Sequence, residues 1–590
     1  MNIFFCAKPF TTAFKLNGYV GLVCIAMLGG LHGPLAHAQS TGSPPSAGSL
    51  QQQLEREQQS PAQRLQPKPQ SKPLTALPAV GQTVQVSAFK FQGNTLLSKE
   101  ELDAALAPLL NQPIDFASLQ SSAVRVADLY RNKGWVVQTF LPEQDIANGE
   151  VTIVIVEAVF GQTQISGAPS TRVPPEQLLS IFARQQQPGQ FLNMIALDRA
   201  LLLADDLPGV TVSGTLSPGQ QSGQTDLLLQ LADEALLAGT ASIDNTGAVS
   251  TGSNRANLAL SVNSPKGRGD ALTVNVMSTP GSNYARGAYS LPLGSDGWRV
   301  NVNASRLVYE LISGDYASQS KEGKPTKGDS TTVGLELSYP WVRSRAFNLS
   351  TSLGVDKKEF YNVLVGVIAS DYSNAPVTLG LSANSFDALG GGGANAFSLV
   401  MTTGQLNLDE SPTQSSDEST SKTAGAYSKV RYALSRQQQL SPATSLYTAL
   451  SGQWANKNLD SSEKFYLGGS TGVRAYPSSE GGGSLGQMLN VELRWQLPEG
   501  LNLMGFYDYG RVTLNAMNDF TGASALNAYA LKGAGMSLGW RYGSGLALQA
   551  TYARRIGENP NPITTQVNQG ADQDGTFKRD RIWLTASLAF

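Results

Sequence analysis

Beyond its first 38 residues this chain contains neither cysteine nor histidine. Cys6, Cys24, His32 and His37 are the only ones in 590 residues. Residues 39–590 therefore have no means of forming disulfides, Cys/His zinc sites, cysteine nucleophiles or Ser-His-Asp machinery, which weighs against an enzyme and leaves no catalytic residue, metal site or cofactor to assign. Charge is also scarce. Only 15% of residues are charged and the net charge is −2, so no basic excess marks nucleic acid as a partner. No apolar run reaches the roughly 20 residues of a transmembrane helix. The glycine run 390–393 lacks the strand-to-helix setting of a nucleotide loop, and residues 323–330 (GKPTKGDS) lack P-loop spacing, so bound nucleotide has no site.

The N-terminus reads as an export signal over 1–38. Lys8 and Lys15 precede a short apolar core at 19–28 (YVGLVCIAML), and Ala36-His37-Ala38 forms a small-x-small cleavage site. Residues 39–81 are rich in Gln and Pro, with extended, semi-stiff tracts such as 66–73 (QPKPQSKP). Within them, 49–64 carries helix formers up to Ser60 with Leu50 and Leu54 at i,i+4, which reads either as a short helix on a tether or as a linker of transient helicity.

From residue 82 the texture becomes that of a small α/β module of order β-α-α-β-β. Residues 84–91 alternate as a strand. Ser98 and Glu101 form a capping box ahead of a helix carrying Leu102, Leu106 and Leu109, and a second helix covers 116–133 with Val124 and Leu129 on its apolar side. Residues 135–141 and 151–157 (VTIVIVE) close the module. The same order repeats over 159–234, so the unit is a tandem, 82–158 and 159–234. Each unit has an edge strand able to accept another strand.

After residue 235 helical periodicity stops. Segments of about ten residues alternate apolar and polar side chains, as in a membrane β-barrel. In 488–497, Leu489, Val491, Leu493, Trp495 and Leu497 would face lipid, and Asn490, Glu492, Arg494 and Gln496 the lumen. About sixteen such antiparallel segments begin near residues 236, 254, 270, 283, 297, 330, 345, 376, 394, 423, 443, 487, 501, 533, 545 and 579, and 360–370 reads as a further candidate strand. The chain ends RIWLTASLAF, with Ile582, Leu584, Ala586, Leu588 and Phe590 alternating outward. This terminus resembles the last-strand signal of outer-membrane barrels.

Tandem modules ahead of a barrel resemble the transporter of a two-partner secretion system, the haemolysin secretion/activation class of the outer membrane protein 85 superfamily. The resemblance covers nearly everything after the signal: plug helix and linker at 39–81, two polypeptide-transport-associated (POTRA) modules, and a barrel over 235–590. Residues 242–270, with Asp244-Asn245-Thr246-Gly247, are similar to the family's opening barrel strands. The Gly/Ser-rich stretch 467–484 (LGGSTGVRAYPSSEGGGS) resembles the extracellular loop that folds back into the lumen. Its core reads Val473-Arg474-Ala475-Tyr476, where the family usually has glycine at the third position. The family's Phe-x-Asp-x-Gly motif stands as Phe506, Asp508 and Gly510, and the resemblance implies that Arg474 pairs with Asp508 from the lumenal wall.

The resemblance implies a monomeric pore in the outer membrane, embedded in its lipid, with POTRA modules in the periplasm. It would secrete a large unfolded partner, an adhesin, cytolysin or contact-dependent toxin, recognised through that partner's N-terminal secretion domain. The alternative within the superfamily is an outer-membrane protein assembly factor. Assembly factors usually carry more POTRA modules and lack a plug helix. A barrel hydrolase typically needs histidine, and a passive porin leaves two periplasmic modules unexplained.

Overall fold

The computed structural model describes residues 45–58 and 83–590, apart from 145, 147–148, 222, 315–316, 318–321, 544 and 564–568. The expected export signal and most of the tether lie outside the described residues.

Helix α1 (Ala47–Gln58) stands alone before the first module. That module comprises β1 (Thr83–Gln85), β2 (Ala88–Gln92), α2 (Lys99–Leu106), β3 (Pro113–Asp115), α3 (Phe116–Asn132), β4 (Val137–Phe140) and β5 (Glu150–Glu157). The capping box forms as expected: Ser98 Oγ accepts from Glu101 N–H, and the Glu101 carboxylate accepts from Ser98 N–H, both at 3.3 Å. Strand β5 is central, parallel to β2 and antiparallel to β4. One correction concerns α3. Val124 points to solvent at 56% exposure, and the buried stripe runs instead through Leu119, Ala123, Val126 and Tyr130.

The second module has β6 (Val159–Ser166), α4 (Pro175–Gln185), α5 (Met194–Asp205), β7 (Val210–Pro218) and β8 (Gln224–Asp233), again with the last strand central. Residues 189–194 tie the modules together. Val136 N–H donates to Leu192 O at 3.2 Å and Met194 N–H to Gly134 O at 2.7 Å. This second module also docks on the barrel's turns. Arg343 forks onto Asp206 at 2.7 and 2.8 Å, Arg345 meets Asp198 at 2.9 Å, and Gln185 donates to Asp296 at 2.9 Å. That contact fixes which end of the barrel faces the modules.

Sixteen antiparallel strands close the barrel. In order they are β9 (Leu237–Asp244), β10 (Arg255–Asn263), β11 (Ala271–Thr279), β12 (Ser282–Leu293), β13 (Trp298–Glu310), β14 (Lys327–Arg343), β15 (Phe347–Leu364), β16 (Val367–Asp387), β17 (Gly393–Asn407), β18 (Gly425–Ser441) and β19 (Thr444–Ala455). A two-residue pair, β20 (Phe465–Tyr466) and β21 (Gly482–Gly483), follows inside one loop. Then come β22 (Leu485–Gln496), β23 (Leu501–Thr513), β24 (Ala528–Tyr542), β25 (Leu546–Arg555) and β26 (Asp580–Ala589). The seam joins β26 to β9 over Thr585–Ala589, and Asn245 extends it: its amide donates to Ile582 O and accepts from Leu584 N–H.

The expected strand at 360–370 is instead a hairpin. Strand β15 runs through Leu364, turns at Val365 (φ 55) and Gly366 (φ 78), and returns as β16. Two left-handed residues in a row suit the twist of a two-residue hairpin. These two strands have 18 and 21 residues, about twice what a bilayer requires, so they extend past the lipid on the side away from the modules. The outer wall presents Val302, Leu335, Leu353, Leu379, Leu538 and Leu588 at 46–53% exposure, an apolar band of the kind lipid demands. At the module end Trp298, Tyr339 and Trp341 form an aromatic cluster, with centroid distances of 4.6 and 5.0 Å.

Candidate functional site

The bore is not open. Two segments fill its outer half, α1 and the loop between β19 and β22.

The loop is a self-supporting fold. Leu467 N–H donates to Glu480 O, Val473 N–H to Leu467 O at 2.8 Å, Gly469 N–H to Tyr476 O at 3.1 Å and Tyr476 N–H to Val473 O at 3.0 Å. Gly469 has φ +104, a conformation side chains resist, and a Cβ on Gly472 would lie 2.0 Å from Leu467 O. The glycines are what let the turn close on itself.

This fold presents Arg474 to the wall. Its backbone N–H and Nε donate to Asp508 Oδ2 at 3.0 and 2.9 Å, Nη2 donates to Asp508 Oδ1 at 2.7 Å, and Nη1 donates to Glu492 Oε1 at 2.9 Å. Asn490 adds a 2.7 Å bond to Asp508 Oδ1, and Arg494 Nε donates to Glu492 Oε2 at 2.8 Å. The guanidinium carbon lies 3.6 Å from the Phe506 ring centroid. Trp583 Nε1 donates to Arg474 O at 2.8 Å, so the loop core is attached to β22, β23 and β26 together. Asp508 is fully buried and Arg474 is 7% exposed. Burial opposes the Arg474 charge, but the hydrogen bonds and field of Asp508, then Glu492, outweigh it and leave its pKa raised. Two guanidiniums face two carboxylates, so the cluster is neutral.

Every residue picked out in the two motifs meets in this one place. Val473 packs on Gly510 and Leu467, and Tyr476 is buried beneath Arg555, whose guanidinium lies 4.4 Å from its ring centroid. Ala475 has no positive φ, so the alanine in place of the family's usual glycine imposes no backbone strain. Its room comes from Gly533, where a Cβ would lie 2.7 Å from that of Ala475. Glu492, Asn490 and Trp583 were not legible as partners. Glu492 and Asn490 sat among other lumen-facing polar residues, and the available signal for Trp583 was a tryptophan on the polar face of the last strand.

Helix α1 occupies the opposite wall. Ala47, Leu50 and Leu54 pack against an apolar patch that includes Met277, Tyr284, Leu307, Phe360, Tyr372 and Leu406. Glu55 accepts from Lys358 Nζ at 3.0 Å and Glu57 from Arg255 Nη1 at 2.6 Å. Arg56 donates to Tyr466 O and, at 3.4 Å, to Gly468 O. The helix therefore touches the loop directly. Beneath both lies a cavity of about 1680 Å³, its wall rich in Ser, Thr and Asn such as Asn275, Asn301, Asn303, Ser350 and Thr378.

Against known proteins, the family model for the haemolysin secretion/activation protein ShlB/FhaC/HecB matches residues 223–542, more than half of the chain. The chain belongs to this family. A model for the ShlB-type POTRA domain matches 84–158. Similar relatives include the heme/hemopexin transporter protein HuxB of Haemophilus influenzae, 25% identical across 88% of this chain and 92% of that protein. The outer membrane transporter CdiB of Escherichia coli is 26% identical across 78% and 77%. Among solved structures, CdiB from Escherichia coli superposes with TM-score 0.68 at 21% identity, and CdiB from Acinetobacter baumannii with 0.61 at 18%. Each covers 93% of this chain and all of the other. As a member of this secretion family the chain is an outer-membrane protein transporter with periplasmic POTRA modules, not an enzyme.

Proposed function

We propose that the chain recognises one large partner protein in the periplasm, while that partner is unfolded, and passes it through the barrel to the cell surface or medium without nucleotide. Residues 1–38 serve as the export signal, and 39–81 as a plug helix on its tether. The partner's N-terminal secretion domain is captured in extended form by strand addition at the POTRA edges, and the partner is an adhesin, cytolysin or contact-dependent toxin. The barrel acts as a monomer in outer-membrane lipid. The observation that carries this reading is that the bore is filled by two segments attached mainly through side chains rather than by the wall itself. Removing α1 and shifting loop 467–484 would open a path whose wall is hydrogen-bonding and carries charges of both signs, among them Arg286, Glu336, Asp356, Lys358 and Arg431. Such a wall offers an extended backbone hydrogen-bond partners along its length. Folding of the partner outside then biases movement outward.

In this reading Arg474, with Val473, Ala475 and Tyr476, sets the loop's position, and Phe506, Asp508 and Gly510 form its receptor in the wall. The test is to compare exported proteins of a strain with and without this gene. Loss of one large secreted protein is expected. No change in any large exported protein, or a broad loss of outer-membrane barrels as for an assembly factor, would overturn the proposal.

A further inference from the structure

The wall patch under α1 holds more binding capacity than the helix uses. Its apolar part takes Ala47, Leu50 and Leu54. Its polar part includes Asn362, whose Oδ1 accepts from the Tyr309 hydroxyl at 2.9 Å and from the Ala47 backbone N–H at 2.8 Å. That second bond is to a backbone amide, which any peptide offers. Among the described residues, three further polar atoms near the helix have no hydrogen-bond partner although they are buried: Tyr284 Oη within the patch, Ser462 Oγ beside Gly48, and Thr332 Oγ1 on the same strand face as Ser330, which donates to Gln51. Tyr284 is 2% and Ser462 1% exposed. Buried polar atoms are normally satisfied, and one left unmet carries the desolvation penalty with no bond to offset it.

A helix cannot meet such groups with its backbone, because its own N–H and C=O groups are bonded within it past the first turn. An extended segment carries those groups free at every residue and projects side chains to alternate sides. The patch adjoins the cavity beneath, whose wall continues through Ser305, Thr332 and Thr402 on β13, β14 and β17.

We propose that this patch is a binding site for an extended polypeptide segment with alternating apolar side chains, presented by the protein in transit, and that such a segment exchanges with α1. The inference rests on the translocation reading. It makes plug release a competition: the arriving segment covers the apolar wall that the departing helix would expose to water. The helix stands in for the ligand through Leu50, Leu54 and one backbone amide, and the ligand adds hydrogen bonds to the hydroxyls that the helix leaves unmet.

The experiment uses the full chain carrying Leu50→Asp and Leu54→Asp, which releases the helix, in planar bilayers. A twelve-residue peptide alternating Leu and Ser is added from the POTRA side and compared with a Gly/Ser peptide of equal length. The Leu/Ser peptide is expected to block current for longer. Leu307→Asn or Leu406→Asn should each shorten that block about tenfold, the factor that burial of one such side chain supplies, while Leu406→Met retains it. Open conductance and heat-modifiable migration verify that each barrel is folded. Equal block times for the two peptides, or block times indifferent to Leu307→Asn and Leu406→Asn, overturn the inference. No secreted partner is needed, so this result can fail while the gene-deletion comparison still supports translocation.

Discussion

Arg474 holds Asp508 through three hydrogen bonds, one of them from its own backbone N–H. The loop is thus fixed in depth as well as in orientation, since the backbone bond forms only when the turn itself reaches the wall. Arg474→Ala leaves Asp508 buried with neutral donors, the Asn490 amide and the backbone N–H of residue 474, and no cation, and Asp508→Ala leaves Arg474 with Glu492. Uncompensated buried charge costs about 3–5 kcal/mol, less where a second partner remains. Both variants are expected to insert normally and to lose secretion, with Arg474→Ala the more severe. Heat-modifiable migration, loop proteolysis on whole cells and the amount of partner in the medium measure this. Normal secretion by both variants would remove the loop from the mechanism.

The helix is attached by Glu55 to Lys358 and by Glu57 to Arg255. Neither cation is orphaned when its glutamate is neutralised, because Lys358 retains Glu463 at 3.9 Å and Arg255 retains Asp244 at 2.8 Å. Each of Glu55→Gln and Glu57→Gln should therefore weaken docking by only about 1 kcal/mol, roughly a fivefold shift toward release. Channel recordings should show more frequent large openings, and raising salt should mimic the substitution in the unaltered chain but add little in the double variant.

The sixteen strands were legible because alternation is a local signal, and the start points near 236, 254 or 501 fall within a residue of β9, β10 and β23. The ends were less so. Strands β15 and β16 continue past the membrane, and their turn carries Val365-Gly366 without the Asn or Asp that usually announces a hairpin. The pairing of Arg474 with Asp508 came from motif resemblance. Glu492, Trp583 and the contact of Arg56 with the loop required the closed barrel, since each joins residues at least 18 positions apart. The face of α3 was misread because its core positions include Ala123 and Tyr130, and Val124 is the more hydrophobic neighbour left outside.

Glu480 attaches the far end of the loop to the segment between β25 and β26. Its carboxyl accepts from Asn559 Nδ2 at 3.0 Å and from Gln573 N–H at 2.8 Å. Burial, then the nearby Asp572, pushes its pKa up to about 7 from 4.5, with Asp574 adding to the rise; Arg555 and Arg581 engage Asp572 itself. A carboxyl whose pKa is raised on docking favours the docked state when protonated. Docking is therefore strongest at low pH and is lost progressively as pH rises from about 4.5 to 7, by up to about tenfold in the docked ratio per unit. Loop proteolysis should increase over that window, and Glu480→Gln should flatten the dependence. A pH-independent cleavage rate in the unaltered chain would refute this role.

Ala475 and Gly533 divide one space between them. A Cβ on Gly533 would sit 2.7 Å from the Ala475 Cβ, closer than real contacts allow, and both groups are held on backbone that cannot easily retreat: Gly533 in the barrel ladder, Ala475 beside the anchored Arg474. Gly533→Ala is therefore expected to overpack the site and loosen the loop by about 1–3 kcal/mol. Ala475→Gly alone removes one methyl and should cost about 1 kcal/mol or less. The double variant moves the methyl from loop to wall and should recover most of the loss, a coupling that a double-mutant cycle on loop proteolysis would read directly. Additive effects would mean that the two residues do not share the space, and that the alanine of the loop is accommodated by some other adjustment of the wall.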